Sequence, residues 1–278
     1  MRAAAALVVA LIAVLGLGSP TLAVERVEIR HGETILPGTL FRPAGDGPHP
    51  AIVALHGCGG LADPKGTLYA QYQAWGDQLV AAGFAVLFPD SFAGRGVSSL
   101  CRVQTRAIRT WRERVADANA ARAWLQKQTF INPGRVSLLG WSNGAVTTLW
   151  AVRPRRGIKP KDEGPDFRSA AAFYPSCRRL GATGWSARVP TLILVGGADD
   201  WTPGHECEQM VAGARGRSAS AQIISYPKAH HYFDRPNLPL QERSGLAFTP
   251  DGSGRAHVGT DTEARADAIK RVPEFLTR

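Results

Sequence analysis

Residues 135–144 read RVSLLGWSNG, and their reading decides the fold. Val136, Leu138 and Leu139 form a short apolar run, bounded in front by Asn132-Pro133-Gly134 and behind by Gly140. An apolar run between turn residues predicts a buried strand. It leads straight into Gly140-Trp141-Ser142-Asn143-Gly144, and residues 145–152 then have helix-compatible composition. Strand, G-x-S-x-G and helix in that order predict a nucleophile elbow, with the serine on a strained turn and its hydroxyl clear of the sheet. The residues two before and two after the serine must be small, so that strand and helix can approach. The Asn143 N–H is expected to face the same space as the hydroxyl. An ordinary loop serine would satisfy G-x-S-x-G alone, so the weight lies in the strand before it and in the partners found elsewhere.

Working outward, residues 51–55, AIVAL, predict a second apolar strand that ends in His56-Gly57-Cys58-Gly59-Gly60. A glycine-rich loop there can aim a backbone N–H at a developing negative charge and let a substrate approach. The expected oxyanion donors are the Cys58 and Asn143 N–H groups, although a plain glycine turn would carry the same residues. Further strands are predicted over 84–88, 169–174, 190–195 and 221–226, after an initial hairpin over 24–31 and 34–41. Helices are predicted over 68–82, 104–128, 205–214 and 262–276, the last imperfect because Pro273 falls inside it. In 104–128 the positions Ile108, Trp111, Val115, Ala118, Ala121 and Leu125 recur at steps of three or four and are assigned to the core. Residues 235–258 are rich in Gly and Pro and read as irregular. The alternation predicts an α/β fold, a mostly parallel eight-stranded sheet flanked by helices on both faces.

Active sites in such folds lie at the carboxyl ends of the strands. Serine needs a base to take its proton, and the base needs an acid to fix its tautomer. After Ser142 the chain offers Asp199 and Asp200 at one strand end, in GGADDWTP, and His230 and His231 after the last strand, in YPKAHHYFD. Neighbours on extended chain point opposite ways, so one of each pair faces the site. Asp199 and His231 are the chosen acid and base. The order Ser, Asp, His belongs to α/β-hydrolases. Trp141, Trp201 and Tyr232 flank these residues and are candidates for the substrate pocket, with a core role as the alternative. Arg95, with Arg102 and Arg178, is a candidate to border the site and favour a carboxylate-bearing ester.

Composition bounds the rest. The chain has 278 residues, enough for one sizeable α/β core. Arg2 precedes an almost unbroken apolar run over 3–17, and Thr21-Leu22-Ala23 resembles a cleavage site. Residues 1–23 are therefore expected to be a secretory signal peptide, with an uncleaved anchor as the alternative, and 24–278 a single α/β-hydrolase domain. The expected location is the periplasm or the exterior, with no stable membrane insertion after cleavage. Cys58, Cys101, Cys177 and Cys207 make an even count in an exported chain, which favours two disulfides with three possible connectivities. Their wide spacing matches no zinc pattern, so no metal is expected, and the chemistry needs no cofactor. The net charge is +10, but the arginines are dispersed, and only 153–161 is dense; nucleic acid is not an expected partner. The expected partner is a small-molecule ester or lactone, with the oligomeric state left open.

Taken together, LHGCGG (55–60), GWSNG (140–144), GGAD followed by WTP (196–203) and YPKAHHYFD (226–234) resemble the dienelactone hydrolase family of the α/β-hydrolase superfamily. The likeness spans roughly 24–276 and implies Asp199 as acid and His231 as base. The chain departs from the namesake enzymes in two places. They carry a cysteine where Ser142 stands and a glutamate in the oxyanion loop, at what looks like the position of Gly57. A general carboxylic-ester hydrolase is thus the implied activity, rather than dienelactone hydrolysis itself. Rival readings are a serine peptidase or other acyl hydrolase on this fold, and a non-catalytic exported binding protein. The strand order of the superfamily also implies the pairings Cys58–Cys101 and Cys177–Cys207, each joining neighbouring loops, with a free Cys58 as the alternative.

Overall fold

The computed structural model describes residues 23–154 and 164–278. The expected signal segment therefore lies outside the described residues except for Ala23, and so does the basic run from 155 onward. In chain order the elements are β1 (Ala23–His31), β2 (Thr34–Arg42), β3 (His49–Leu55), α1 (Ala70–Ala81), β4 (Ala85–Pro89) and α2 (Glu113–Gln126). They continue with β5 (Ile131–Trp141), α3 (Asn143–Ala151), β6 (Ala170–Phe173), α4 (Arg178–Ala182), β7 (Thr191–Gly196) and α5 (Gly204–Gly213). The last are β8 (Ala221–Tyr226), β9 (Gln241–Arg243), β10 (Ala256–Val258) and α6 (Thr262–Thr277).

The main sheet has eight strands in the order β1-β2-β4-β3-β5-β6-β7-β8. β1 and β2 form the expected antiparallel hairpin, β2 pairs antiparallel with β4, and every pairing from β4 to β8 is parallel. The alternation of side chains along β3 sorts the core into two layers. Val53 and Leu55 pack with Ala118 and Leu125 of α2, Leu149 of α3 and Met210 of α5. Ile52 and Ala54 pack with Trp75 and Leu79 of α1 and Ala268 and Val272 of α6. Both faces of the parallel strands are covered, which explains why those strands read as continuous apolar runs.

Two expectations need correction. The long helix is shorter than 104–128, because it begins at Glu113. The Glu113 carboxylate accepts the Arg109 N–H at 2.8 Å and two bonds from the Arg109 guanidinium, so it fastens the preceding turn instead of extending the helix backwards. Trp111 is consequently 40% exposed, under the Arg179 guanidinium, and is not core, whereas Ile108 is buried. The segment 235–258 is also less irregular than its composition suggests, since β9 and β10 pair within it. The disulfides are Cys58–Cys101 and Cys177–Cys207. Among the described residues, no helix is long and apolar enough to cross a membrane.

Candidate active site

The elbow is built by close approach. A Cβ on Gly140 would lie 2.5 Å from the Gly144 carbonyl oxygen, and one on Gly144 would overlap the Leu55 carbonyl. Only glycines let β5, α3 and the end of β3 meet. Between them Ser142 takes φ 51° and ψ −114°, a strained conformation for a residue with a side chain. The turn delivers Ser142 Oγ to 3.1 Å from His231 Nε2. On the other side of the ring, His231 Nδ1 lies 2.8 Å from Asp199 Oδ2, and both side chains are fully buried.

The Asp199 carboxylate is fixed in turn. Its Oδ1 accepts the Trp201 and Thr202 N–H groups at 2.9 and 2.8 Å, which closes a tight turn and turns Oδ2 towards the histidine. Thr202 Oγ1 lies 2.9 Å from Asp199 Oδ2, 3.0 Å from the Tyr174 carbonyl and 3.0 Å from His231 Nδ1. The imidazole is flanked by the rings of Tyr174 at 4.4 Å and Trp201 at 4.6 Å. Asp200 points elsewhere, accepting from the exposed His257 through N and Nδ1 at 2.8 and 2.7 Å. His230 also lies on that side, 6.0 Å ring to ring from His257.

In the loop after β3 the Gly57 N–H is already engaged, donating to Tyr72 Oη at 2.8 Å. The Cys58 N–H has no acceptor among the described residues. Asn143 is the first helical residue of α3, where an N–H has no partner inside the helix. The loop is held by its neighbours. The Cys58 carbonyl accepts the Leu100 N–H at 2.8 Å, and the disulfide to Cys101 adds a covalent tie. His56 is buried, with Nδ1 2.8 Å from the Gly57 carbonyl and Nε2 accepting the Ser91 N–H at 3.3 Å. Burial, reinforced by the Arg114 cation, pushes His56 down to about 3. It is therefore neutral, and its 3.6 Å approach to Asp90 is not an ion pair at neutral pH.

A small cavity of about 90 Å³ opens against Ser142, walled by Cys58, Asn143, Val146, Arg106, Trp201 and Phe248. Burial lowers the Arg106 guanidinium to about 10. It rests on the Phe248 ring at 4.6 Å and donates from Nε to the Val103 carbonyl. A larger cavity of about 470 Å³ adjoins it across Trp201, lined by Gly59, Tyr69, Tyr232, Arg102, Arg235 and Arg243. Arg235 also stacks on Tyr232 at 3.5 Å.

Trp201, Tyr232 and Arg102 thus line cavities at the site. Arg178 does not reach the cavity at Ser142; it borders a separate groove beside α4 and α5 and a second hollow shared with Trp201 and Phe248. Trp141 and Arg95 require correction as pocket residues. Trp141 is buried, stacked between Phe88 and Phe173, and its indole N–H donates to Asp234 Oδ2 at 2.7 Å. Arg95 grips buried Asp117 of α2 in a two-bond pair at 2.8 and 2.9 Å, so its charge is spent within the scaffold. Sequence reasoning missed Arg106, Arg114, Phe248 and the role of Asp234. That carboxylate accepts from Trp75 Nε1, Trp141 Nε1, Gln71 Nε2 and Tyr174 Oη at 2.7, 2.7, 2.9 and 2.6 Å. Burial, then the charge of Asp234, pushes the Tyr174 phenol well above its ordinary value, which keeps it a donor.

The family model for dienelactone hydrolases matches residues 36–278. The chain belongs to the dienelactone hydrolase family. Among solved structures, a protein of Klebsiella pneumoniae subsp. pneumoniae MGH 78578 assigned as a dienelactone hydrolase superposes with a TM-score of 0.70 at 16% identity, covering 93% of this chain and 99% of that one. Thermogutta terrifontis esterase 2, phosphorylated by paraoxon, superposes with a TM-score of 0.66 at 15% identity, covering 91% and 93%. Dienelactone hydrolase from Anabaena variabilis ATCC 29413 gives 0.62 at 18% identity, covering 92% and 97%. At these identities the likeness is one of fold. An uncharacterized protein of Mycobacterium tuberculosis, in strains CDC 1551 / Oshkosh and ATCC 25618 / H37Rv, is 30% identical over 115 residues, 36% of this chain. That match spans 40% of the relatives' own length.

Proposed function

We propose that residues 24–278 form an exported serine hydrolase domain that cleaves carboxylic esters or lactones through an acyl-enzyme on Ser142. One observation carries this reading: His231 lies 3.1 Å from the Ser142 hydroxyl on one side and 2.8 Å from Asp199 on the other. Ser142 Oγ attacks the ester carbonyl while His231 Nε2 takes its proton. The imidazolium so formed is held by Asp199 through Nδ1–H. The Cys58 and Asn143 N–H groups receive the charge that develops on the carbonyl oxygen. Collapse expels the alcohol, protonated by His231, and water activated by the same ring then releases the acid and restores Ser142.

Export is supported by the apolar N-terminal stretch and is compatible with the two disulfides. The arginines of the larger cavity favour substrates that carry a carboxylate. Equal kcat/KM for matched neutral and anionic esters would remove that part of the reading.

Hydrolysis of a p-nitrophenyl ester series by wild type and Ser142→Ala tests the whole. Esterase 2 of Thermogutta terrifontis is phosphorylated by paraoxon, and the same adduct is expected here on Ser142, located by peptide mass mapping. Turnover that survives Ser142→Ala, or an adduct on another residue, would overturn the proposal.

A further inference from the structure

Arg114, the second residue of α2, is fully buried, yet it has no carboxylate partner of its own. On its own helix, Glu113 is held by Arg109, and Asp117, three residues on, is taken by both terminal nitrogens of Arg95. Arg114 Nε is buried without a hydrogen-bond partner, and burial lowers the guanidinium to about 10, so it remains a cation at neutral pH. Holding a cation in such a place is costly, and its two remaining bonds show where it acts. Nη1 donates to Asn143 Oδ1 at 2.5 Å, and Nη2 donates to the His56 carbonyl at 2.8 Å. The face of the guanidinium rests over the Phe92 ring at 5.1 Å.

Those two acceptors belong to separate segments. His56 opens the loop that carries the Cys58 N–H, and Asn143 carries the other N–H of the elbow. One rigid fork therefore sets the spacing between the two groups that would meet the substrate oxyanion. No other hydrogen bond holds the Asn143 side chain among the described residues. We propose that Arg114 is the positioning residue of the oxyanion hole, using the Asn143 side chain as the handle by which it aligns that residue's N–H with the N–H of Cys58. A lysine keeps the charge but is a point donor on a flexible stem and cannot reproduce the planar fork. The inference rests on Ser142 being the nucleophile.

The test uses the full mature chain with Arg114→Lys and Arg114→Met, and Ser142→Ala alongside. Paraoxon titration counts competent serines, so rates are expressed per reactive site and misfolded protein does not enter. The expected result is a fall in kcat for p-nitrophenyl butyrate of about 10- to 100-fold with KM nearly unchanged, somewhat below the loss of a whole oxyanion donor. Affinity for an aryl trifluoromethyl ketone, which forms an oxyanion adduct on serine, falls in the same proportion. A purely structural role would lower the titrated fraction and leave the per-site kcat and ketone affinity alone, and that outcome overturns the inference. Should neither Arg114 variant fold, Asn143→Ala decides. It keeps the N–H and removes the handle, and unchanged kcat and ketone affinity would refute the proposal. Activity surviving in Ser142→Ala would instead strike the esterase reading itself.

Discussion

Acid should loosen this protein through His56 before it reaches the carboxylates. The folded state holds His56 neutral, at about 3 against an ordinary value of 6.5, because the ring is buried and faces the Arg114 cation. The unfolded chain binds a proton at His56 once the pH drops below 6.5, whereas the folded chain does not until about 3. Stability therefore rises with pH across that window and is lost as pH falls through it. Between pH 7 and pH 5 the loss from this one group is about 2 kcal/mol, from 1.36 kcal/mol per pH unit below the unfolded value. The perturbation is His56→Gln, which retains a side-chain acceptor for the Ser91 N–H and does not titrate. Urea unfolding of both proteins at pH 7 and pH 5 gives the double difference. Wild type is expected to lose about 2 kcal/mol more than the variant over that interval, whatever the packing cost of the substitution at both pH values. Parallel losses in the two proteins would refute the reasoning and would mean that His56 is protonated in the fold, paired with Asp90 at 3.6 Å.

Three further outcomes are expected. Asp199→Asn lowers kcat by about 10⁴-fold by favouring the wrong histidine tautomer, and Asp200→Asn, whose partner is the exposed His257, leaves kcat unchanged; steady-state kinetics on one ester checks both. Replacing Cys58 and Cys101 together by serine opens a link that spans 43 residues and costs up to about 4 kcal/mol in the chain-entropy account. Calorimetry reads that cost, and the variant is also expected to lose turnover well below its melting temperature, whereas opening the Cys177–Cys207 link, which ties the start of α4 to α5 and does not join the oxyanion loop, is expected to affect melting alone. Gly144→Ala drives a methyl group into the Leu55 carbonyl and is expected to lose more than about 3 kcal/mol. Gly213→Ala, with open space around it, serves as the neutral control in the same melt.

What could be read from the chain was local. The apolar runs before Gly140 and Gly57 and the turn residues behind them mark strand ends without any tertiary knowledge, and the candidate catalytic side chains cluster at strand ends. The placement of Asp199 also has a local cause, because its own carboxylate caps the Trp201 and Thr202 amides. What escaped depended on contacts between distant segments. Arg95 stands in the correct loop, but a buried aspartate 22 residues later captures it. Arg114 looks like any helix arginine until α2 is packed against the elbow. Trp111 continues the apolar period of a helix that has not yet begun, since the Glu113 carboxylate fixes the turn before it. Arg106 and Phe248 come from loops whose composition carries no signal of where they fold back.

The cage around Asp234 sets limits on how this sequence can change. Its four donors, Gln71, Trp75, Trp141 and Tyr174, come from three segments and converge on one buried carboxylate. Losing one donor strips a buried charge of a partner, and losing the acid strands two indoles, an amide and a phenol together. A substitution at any one of these five positions is therefore expected to cost more than the contact it removes, because the other four are left with an incomplete partner set. Laboratory diversification aimed at substrate range has a freer field at Arg102, Arg243 and Phe248. Those side chains line the cavities and make no hydrogen bond to the histidine or the elbow among the described residues, so changes there are expected to alter the cavities first.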